Sequence, residues 1–333
     1  MKERFLFEEE FCICGVLGSG KFATVYKAMH KSTQQYYAAK ILDKNQQSHI
    51  DTEIKILTDF RHHKNIVTLY EVYQDCSETV LVLELVQGGE LLELLGKEVL
   101  TEHDMTHLVE QLCSALYCLH YKHIVHMDVK PENVLVTMTT DNIHKPTLKL
   151  VDFGLARVLQ NGRSGAGNLD QIRGTPEFLA PELLRAGGRV SPAVDMWCVG
   201  VTLFILLTGV SPFEGEDVGE TVANILNCNY QAGDELFEGY SSDALDFISS
   251  LLNPSPHERY TAADCLKHPW LSKKNRSKQR QYPLKYHTES GVPVVDLDNT
   301  MGRLRTHLAA LSVTGNSNIK PSSVARNYKT GYK

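Results

Sequence analysis

The stretch IVHMDVKPENVLV, residues 124–136, sets one histidine, two carboxylates, a lysine and an asparagine into an otherwise apolar run. Placing His126, Asp128, Lys130, Glu132 and Asn133 among Val125, Val129, Val134 and Leu135 costs free energy unless the polar groups have partners or a task. A second stretch, KLVDFGLA at 149–156, adds another carboxylate, Asp152, after an apolar strand. The residue types fit phosphoryl transfer, a chemistry of positioning and charge neutralisation. Asp128 is suited to accept a proton from an attacking hydroxyl and Lys130 to neutralise the phosphoryl group in flight. Asn133 and Asp152 offer the hard oxygens that Mg²⁺ takes.

Upstream, LGSGKFATV (17–25) puts Gly18, Ser19 and Gly20 between two strand-like runs, where backbone without Cβ can approach phosphates. Alone, the pattern is equally that of a glycine-rich hairpin, and Ala23 stands where the third glycine of such loops usually sits. The run YAAK ends a strand at Lys40, and Glu53 lies on the helical segment that follows. A lysine in an apolar strand calls for an anion, so a Lys40–Glu53 ion pair with Lys40 also reaching phosphates is one reading. A surface lysine with a snorkelling stem is the other.

The chain of 333 residues has an ordinary globular composition and is long enough for two lobes with their own cores. Its start, MKERFLFEEE, has no sustained apolar segment, so neither a secretory signal nor a membrane span is expected, and the expected compartment is the cytoplasm, with the nucleus as the alternative. The eight cysteines show no C-x-x-C pair and read as free thiols. The net charge of −6 is uneven: residues 271–333 carry twelve Lys or Arg against three Asp or Glu, +9, which leaves −15 for the body. An acidic body favours cationic partners and speaks against nucleic acid.

Strand-like runs fill residues 11–42, HIDTEIKILTDF follows with Ile50, Ile54 and Leu57 at helical spacing, and strands return before a hinge-like LELVQGGE at 83–90. Helical periodicity dominates beyond residue 100, where Thr101 and Asp104 read as an N-cap with a first-turn acid. After HPWL, ending at Leu271, the composition becomes basic and then Gly-, Ser- and Asn-rich. The expected division is an extension at 1–10, a domain at 11–271 with lobes at about 11–86 and 87–271, and a largely flexible tail at 272–333.

With these stretches in order, the chain resembles the protein kinase family over residues 11–271. The glycine-rich loop, Lys40, Glu53, HMDVKPEN, DFG (152–154), GTPEFLAPE (174–182), DMWCVG (195–200) and Arg259 before HPWL all carry the resemblance. It implies an α+β bilobal fold with a small β-rich lobe, a larger mainly helical lobe and ATP in the cleft between them. It also implies adenine between Leu17, Val25, Ala38 and Leu135, hinge contacts from Glu84 to Val86, and Leu83 as gatekeeper. Glu90 falls beside the nucleotide and the peptide groove alike. By the same resemblance Glu182 pairs with Arg259, and Asp195 braces the catalytic loop.

Lys130 in DVKPEN and Thr175 in GTPEF are similar to the serine/threonine class, and the motifs look most like its calmodulin-dependent branch, near the death-associated, myosin light chain and Trio/obscurin-like kinases. Thr175 is then a substrate-side residue. Glu90 and Glu132 flank the expected groove, which implies protein substrates with a basic residue near the acceptor; Ile205, where strongly basophilic relatives have a further glutamate, makes that preference moderate.

Met127 departs from the arginine that many kinases use to capture an activation-loop phosphate, so the loop is expected to need none. In the tail, residues 272 to about 313 read as an autoinhibitory segment. MGRLRTHLAALSV (301–313), with Met301, Leu304, Leu308 and Leu311 on one face, reads as a calmodulin-binding helix or as a plain solvated segment. Its few cationic groups and lack of an aromatic anchor favour the second. The alternative function is a pseudokinase scaffold, whose mark would be loss of Lys40, Asp128 or Asp152; all three are present.

Overall fold

The computed structural model describes residues 2–272, except 21–22, 45–46, 92, 94–99, 138–145, 161–175, 186–187 and 231–235. Thr175 and the tail from Lys273, with its amphipathic segment, lie outside the described residues.

The β-rich part contains β1 (Lys2–Glu3), α1 (Arg4–Glu10), β2 (Phe11–Ser19), β3 (Ala23–His30), β4 (Tyr36–Asp43), α2 (Gln47–Asp59), β5 (Leu69–Gln74) and β6 (Glu78–Glu84). Its six strands form one sheet in the order β1-β5-β6-β4-β3-β2. Neighbours are antiparallel, except that β1 runs parallel to β5. The period of two along β6 gives the sheet two apolar faces. Leu81 and Leu83 join the cluster that holds Ile50, Ile56 and Leu57 of α2, while Val80 and Val82 turn to the opposite face.

Helix α2 buries Ile50, Glu53, Ile56 and Leu57, and leaves Ile54 half-buried. The three expected residues share the core-facing side, Ile54 at its edge, and Glu53 is buried beside them where it meets Lys40. The first residues, expected as an extension, pack on the outer face of the sheet. Phe7 is 1% exposed, stacks on Phe11 at 5.1 Å and meets Tyr73 edge-on at 5.6 Å. Burying such a ring contributes about 2 kcal/mol. Lys2 bonds Glu10 at 2.9 Å and Glu71 at 3.0 Å, which fixes β1 beside β5.

Past residues 84–90 the chain becomes mainly helical: α3 (Glu102–Tyr121), α4 (Pro181–Leu184), α5 (Ala193–Thr208), α6 (Val218–Asn227), α7 (Ser242–Leu251) and α8 (Ala262–Cys265). Thr101 and Asp104 form the expected capping box on α3. Every residue of α5 from Val194 to Thr208 is buried, as expected of a helix apolar on all sides at the centre of a lobe. Gly200 allows α7 to approach α5, since a Cβ there would stand 2.9 Å from Leu251 Cβ. Trp270, in the short helical turn Pro269–Leu271, donates its indole N–H to the buried carboxylate of Glu102 at 2.7 Å.

Four short strands frame the loop that opened the sequence reading. β7 (Ile124–Val125) pairs with β10 (Arg157–Val158), and β8 (Val134–Thr137) pairs with β9 (Thr147–Leu150). Residues 126–133 lie between β7 and β8, held at both ends by apolar anchors.

Candidate active site

Asp195, in the first turn of α5, holds the start of the loop. Its buried carboxylate accepts the backbone N–H groups of His126 and Met127, each at 2.8 Å, and faces His120 Nε2 at 2.8 Å. Met127 is left-handed, with φ +70°, and only 7% exposed. A non-glycine residue held there costs on the order of 1 kcal/mol, which a charge-assisted hydrogen bond offsets. Its side chain, an uncharged thioether, packs into the core.

Next to it, the Asp128 carboxylate is fixed from two sides. Asn133 Nδ2 donates to it at 2.8 Å and to the Asp128 carbonyl at 2.8 Å, and Lys130 Nζ lies 3.0 Å away. The short helical turn Pro131–Asn133 brings Asn133 back to Asp128. Burial pulls the Lys130 ammonium down, but Asp128 and Glu132 together raise it above its usual value.

Asp152 faces this loop from the turn after β9, with φ +60°. Its Oδ1 accepts from Lys40 Nζ at 2.8 Å and from the Gly154 N–H at 3.2 Å. Lys40 on β4 also reaches Glu53 of α2 at 2.7 Å, and both of these residues are buried. Of the two readings of Lys40, the ion pair is the one present. Lys40 beside Asp152 holds that carboxyl well below the usual carboxylate range. Burial alone would lower the Lys40 pKa, and Glu53 with Asp152 raises it above the usual lysine value. Burial pushes the Glu53 carboxyl up, with Lys40 opposing.

Strand register brings together the other residues expected on the nucleotide side. Val25 pairs with Gly18 and with Lys40, Ala38 pairs with Leu83, and Glu90 bridges to Leu135. Leu17 is half exposed and Val86 half-buried. The Ser19 hydroxyl lies 3.3 Å from that of Thr24. A Cβ at Gly18 would meet nothing within 4 Å, and one at Gly20 only Ala23 O at 3.8 Å. Packing among the described residues therefore does not demand glycine at either position.

On the side expected to face the peptide, one Glu132 carboxylate oxygen is buried without a hydrogen-bond partner among the described residues. Burial pushes its pKa up, Lys130 opposes, and the charge of Glu90 adds to the rise, so Glu90 and Glu132 are electrostatic neighbours. The structural pair is also present: Arg259 grips Glu182 at 2.8 and 3.0 Å. One charged residue beside the site escapes the sequence reading. Lys149 on β9 pairs with Glu84 of the hinge segment at 2.8 Å. It carried the same signal as Lys40, a cation inside an apolar strand.

Among the described residues, no helix is long and apolar enough to cross a membrane, and no group of three or more His, Cys, Asp or Glu side chains could hold a metal ion.

The protein kinase domain family matches residues 11–271. Over 275 residues the chain is 40% identical to Death-associated protein kinase 2 of Homo sapiens, covering 80% of this chain and 72% of that one. It is 39% identical over 275 residues to a death-associated protein kinase of Caenorhabditis elegans, covering 80% of this chain but 19% of the relative. It is 39% identical over 264 residues to Serine/threonine-protein kinase 17A of Oryctolagus cuniculus, covering 77% and 64% of the two chains. With the Lys40–Glu53–Asp152 contacts and the Asp128 loop in place, the chain belongs to the protein kinase family, as a serine/threonine kinase related to the death-associated group.

Proposed function

We propose that this kinase transfers the γ-phosphate of ATP to serine or threonine of proteins with a basic residue about three positions upstream of the acceptor, and that its activation loop needs no phosphate. The observation that carries the reading is the Asp128 carboxylate, restrained by Asn133 and Lys130 next to an Asp152 that Lys40 keeps ionised. In this reading Asp128 takes the hydroxyl proton and Lys130 offsets charge on the moving phosphoryl group. Lys40 is oriented by Glu53 toward the phosphates. Gly18, Ser19 and Gly20 offer backbone N–H groups to the same phosphates. The adenine lies against Leu17, Val25, Ala38 and Leu135, with the backbone of residues 84–86 along its edge.

The donor set fits Mg²⁺. Asn133 has an amide oxygen and Asp152 a carboxylate, both hard ligands, and two protein oxygens leave the remaining positions to phosphate and water. When bound, the cation would neutralise phosphate charge.

The basic preference rests on Glu132 and Glu90, two carboxylates close enough for the charge of one to raise the pKa of the other. Independence from loop phosphate rests on Met127, an apolar side chain packed in the core that has no charge to pair with a phosphate. Residues 272–313 are kept as the candidate autoinhibitory segment. A chain ending at Leu271 that outpaces the full chain supports that role, and equal rates remove it. A positional peptide array read at each site around the acceptor tests the substrate reading: enrichment of arginine or lysine upstream supports it, and indifference to charge there contradicts it.

A further inference from the structure

Lys149 sits at the junction of three segments that the reaction uses. It is on β9, three residues before Asp152, and 9% exposed. Its ammonium is 2.8 Å from Glu84 Oε2 and 3.5 Å from the Ile66 carbonyl. The same Glu84 oxygen accepts the Thr68 N–H at 3.3 Å, and the Glu84 N–H donates to the Thr68 carbonyl at 2.9 Å. Glu84 is the last residue of β6 and opens the segment that joins the lobes. Segment 65–67 is itself stitched to β9, since Leu150 N–H donates to Asn65 O at 2.9 Å and Val67 N–H donates to Leu150 O at 3.1 Å.

A buried ammonium needs an anion, and here the anion chosen is on the hinge rather than on the lysine's own hairpin. The pair consequently fixes a side chain whose backbone is a nucleotide contact. We propose that Lys149 is a positioning residue for ATP: by holding the Glu84 carboxylate it sets the direction of the hinge backbone at residues 84–86 and ties it to the strand that carries Asp152. This rests on the reading above that the hinge backbone meets the adenine. Lys149 touches neither substrate, and its effect runs through Glu84.

Removing the cation frees Glu84 to turn toward solvent and loosens the hinge backbone. Removing the carboxylate strands a buried ammonium, which costs stability as well. Removing both relieves the stranded charge and still leaves the hinge untethered. A double-variant series separates the two consequences: ATP KM, kcat and thermal midpoint measured on wild type, Lys149→Arg, Lys149→Met, Glu84→Gln and the Lys149→Met/Glu84→Gln pair.

The expected result is an ATP KM raised roughly three- to tenfold in Lys149→Met and Glu84→Gln, with kcat held within about twofold. Lys149→Arg should recover most of the KM. The double variant should regain much of the midpoint lost in Glu84→Gln while its KM stays high. KM returning with the midpoint would overturn the proposal, because the pair would then serve stability alone. So would a KM in Lys149→Met within about twofold of wild type, or a raised kcat at unchanged KM. Lys149→Arg keeps the charge and keeps the comparison readable if the methionine variant does not fold. Saturating turnover by the wild type establishes the nucleotide site before any variant is compared, so loss of the hinge proposal leaves that reading standing.

Discussion

Lys40 and Asp152, 112 positions apart in sequence, lie 2.8 Å apart, and the same ammonium reaches Glu53 at 2.7 Å. One cation on a strand therefore fixes both helix α2 and the turn that carries the candidate Mg²⁺ ligand. Lys40→Met should lower kcat/KM by on the order of a hundredfold or more, since it removes a positioned charge from the phosphate site. It should also cost about 3 kcal/mol of stability by leaving Glu53 buried without its partner. Steady-state rates and a denaturant titration read the two effects separately, and restoring stability with Glu53→Gln should leave the rate low.

Because Met127 is packed among apolar side chains, phosphatase-treated enzyme should keep its activity. Introducing Met127→Arg should add no activity to that dephosphorylated enzyme. Peptide phosphorylation before and after phosphatase, with the phosphate content measured, checks both. Activity lost with the phosphate would show that the loop depends on a modification.

Burial raises the Glu132 pKa, so its carboxylate is neutralised at a higher pH than an ordinary glutamate at about 4.3. The preference for arginine over alanine upstream of the acceptor should weaken as pH falls through that raised value and return as pH rises. Glu132→Gln should flatten this dependence. The ratio of kcat/KM for paired peptides across pH gives the answer directly.

Phe7 is enclosed by Phe11 and Tyr73, and Phe7→Ala should cost about 3 kcal/mol. The loss should appear in thermal or denaturant unfolding, with kcat changed far less. A loss under about 0.5 kcal/mol would mean that the first ten residues are dispensable to the sheet.

The clustering of residues 126–133 was legible in the sequence because charged residues inside an apolar run have few explanations, and their spacing is set by local chemistry. Asp128, Asn133 and Lys130 contact one another within six residues of chain. Lys40 was legible for the same reason, though its partner could not be chosen from sequence alone. The packing of Lys2, Phe7 and Glu10 against Glu71 and Tyr73 was not, since those contacts join segments more than sixty residues apart. Lys149 and Glu84 are a similar long-range pair: each residue is visible, and only the fold brings them together. Helix α2 was legible from its period, whereas the burial of Glu53 on the same side was not, since an apolar pattern does not count a polar residue.

On the proposed reading, Asp152 and Asp128 carry the phosphoryl transfer. Incorporation of the ATP γ-phosphate into a mixed serine/threonine peptide library tests it, with Asp152→Ala and Asp128→Asn alongside the wild type. Transfer by the wild type, falling on the order of a thousandfold in each variant, is the expected result. Nucleotide binding by the wild type without transfer, or equal transfer by all three, would contradict it.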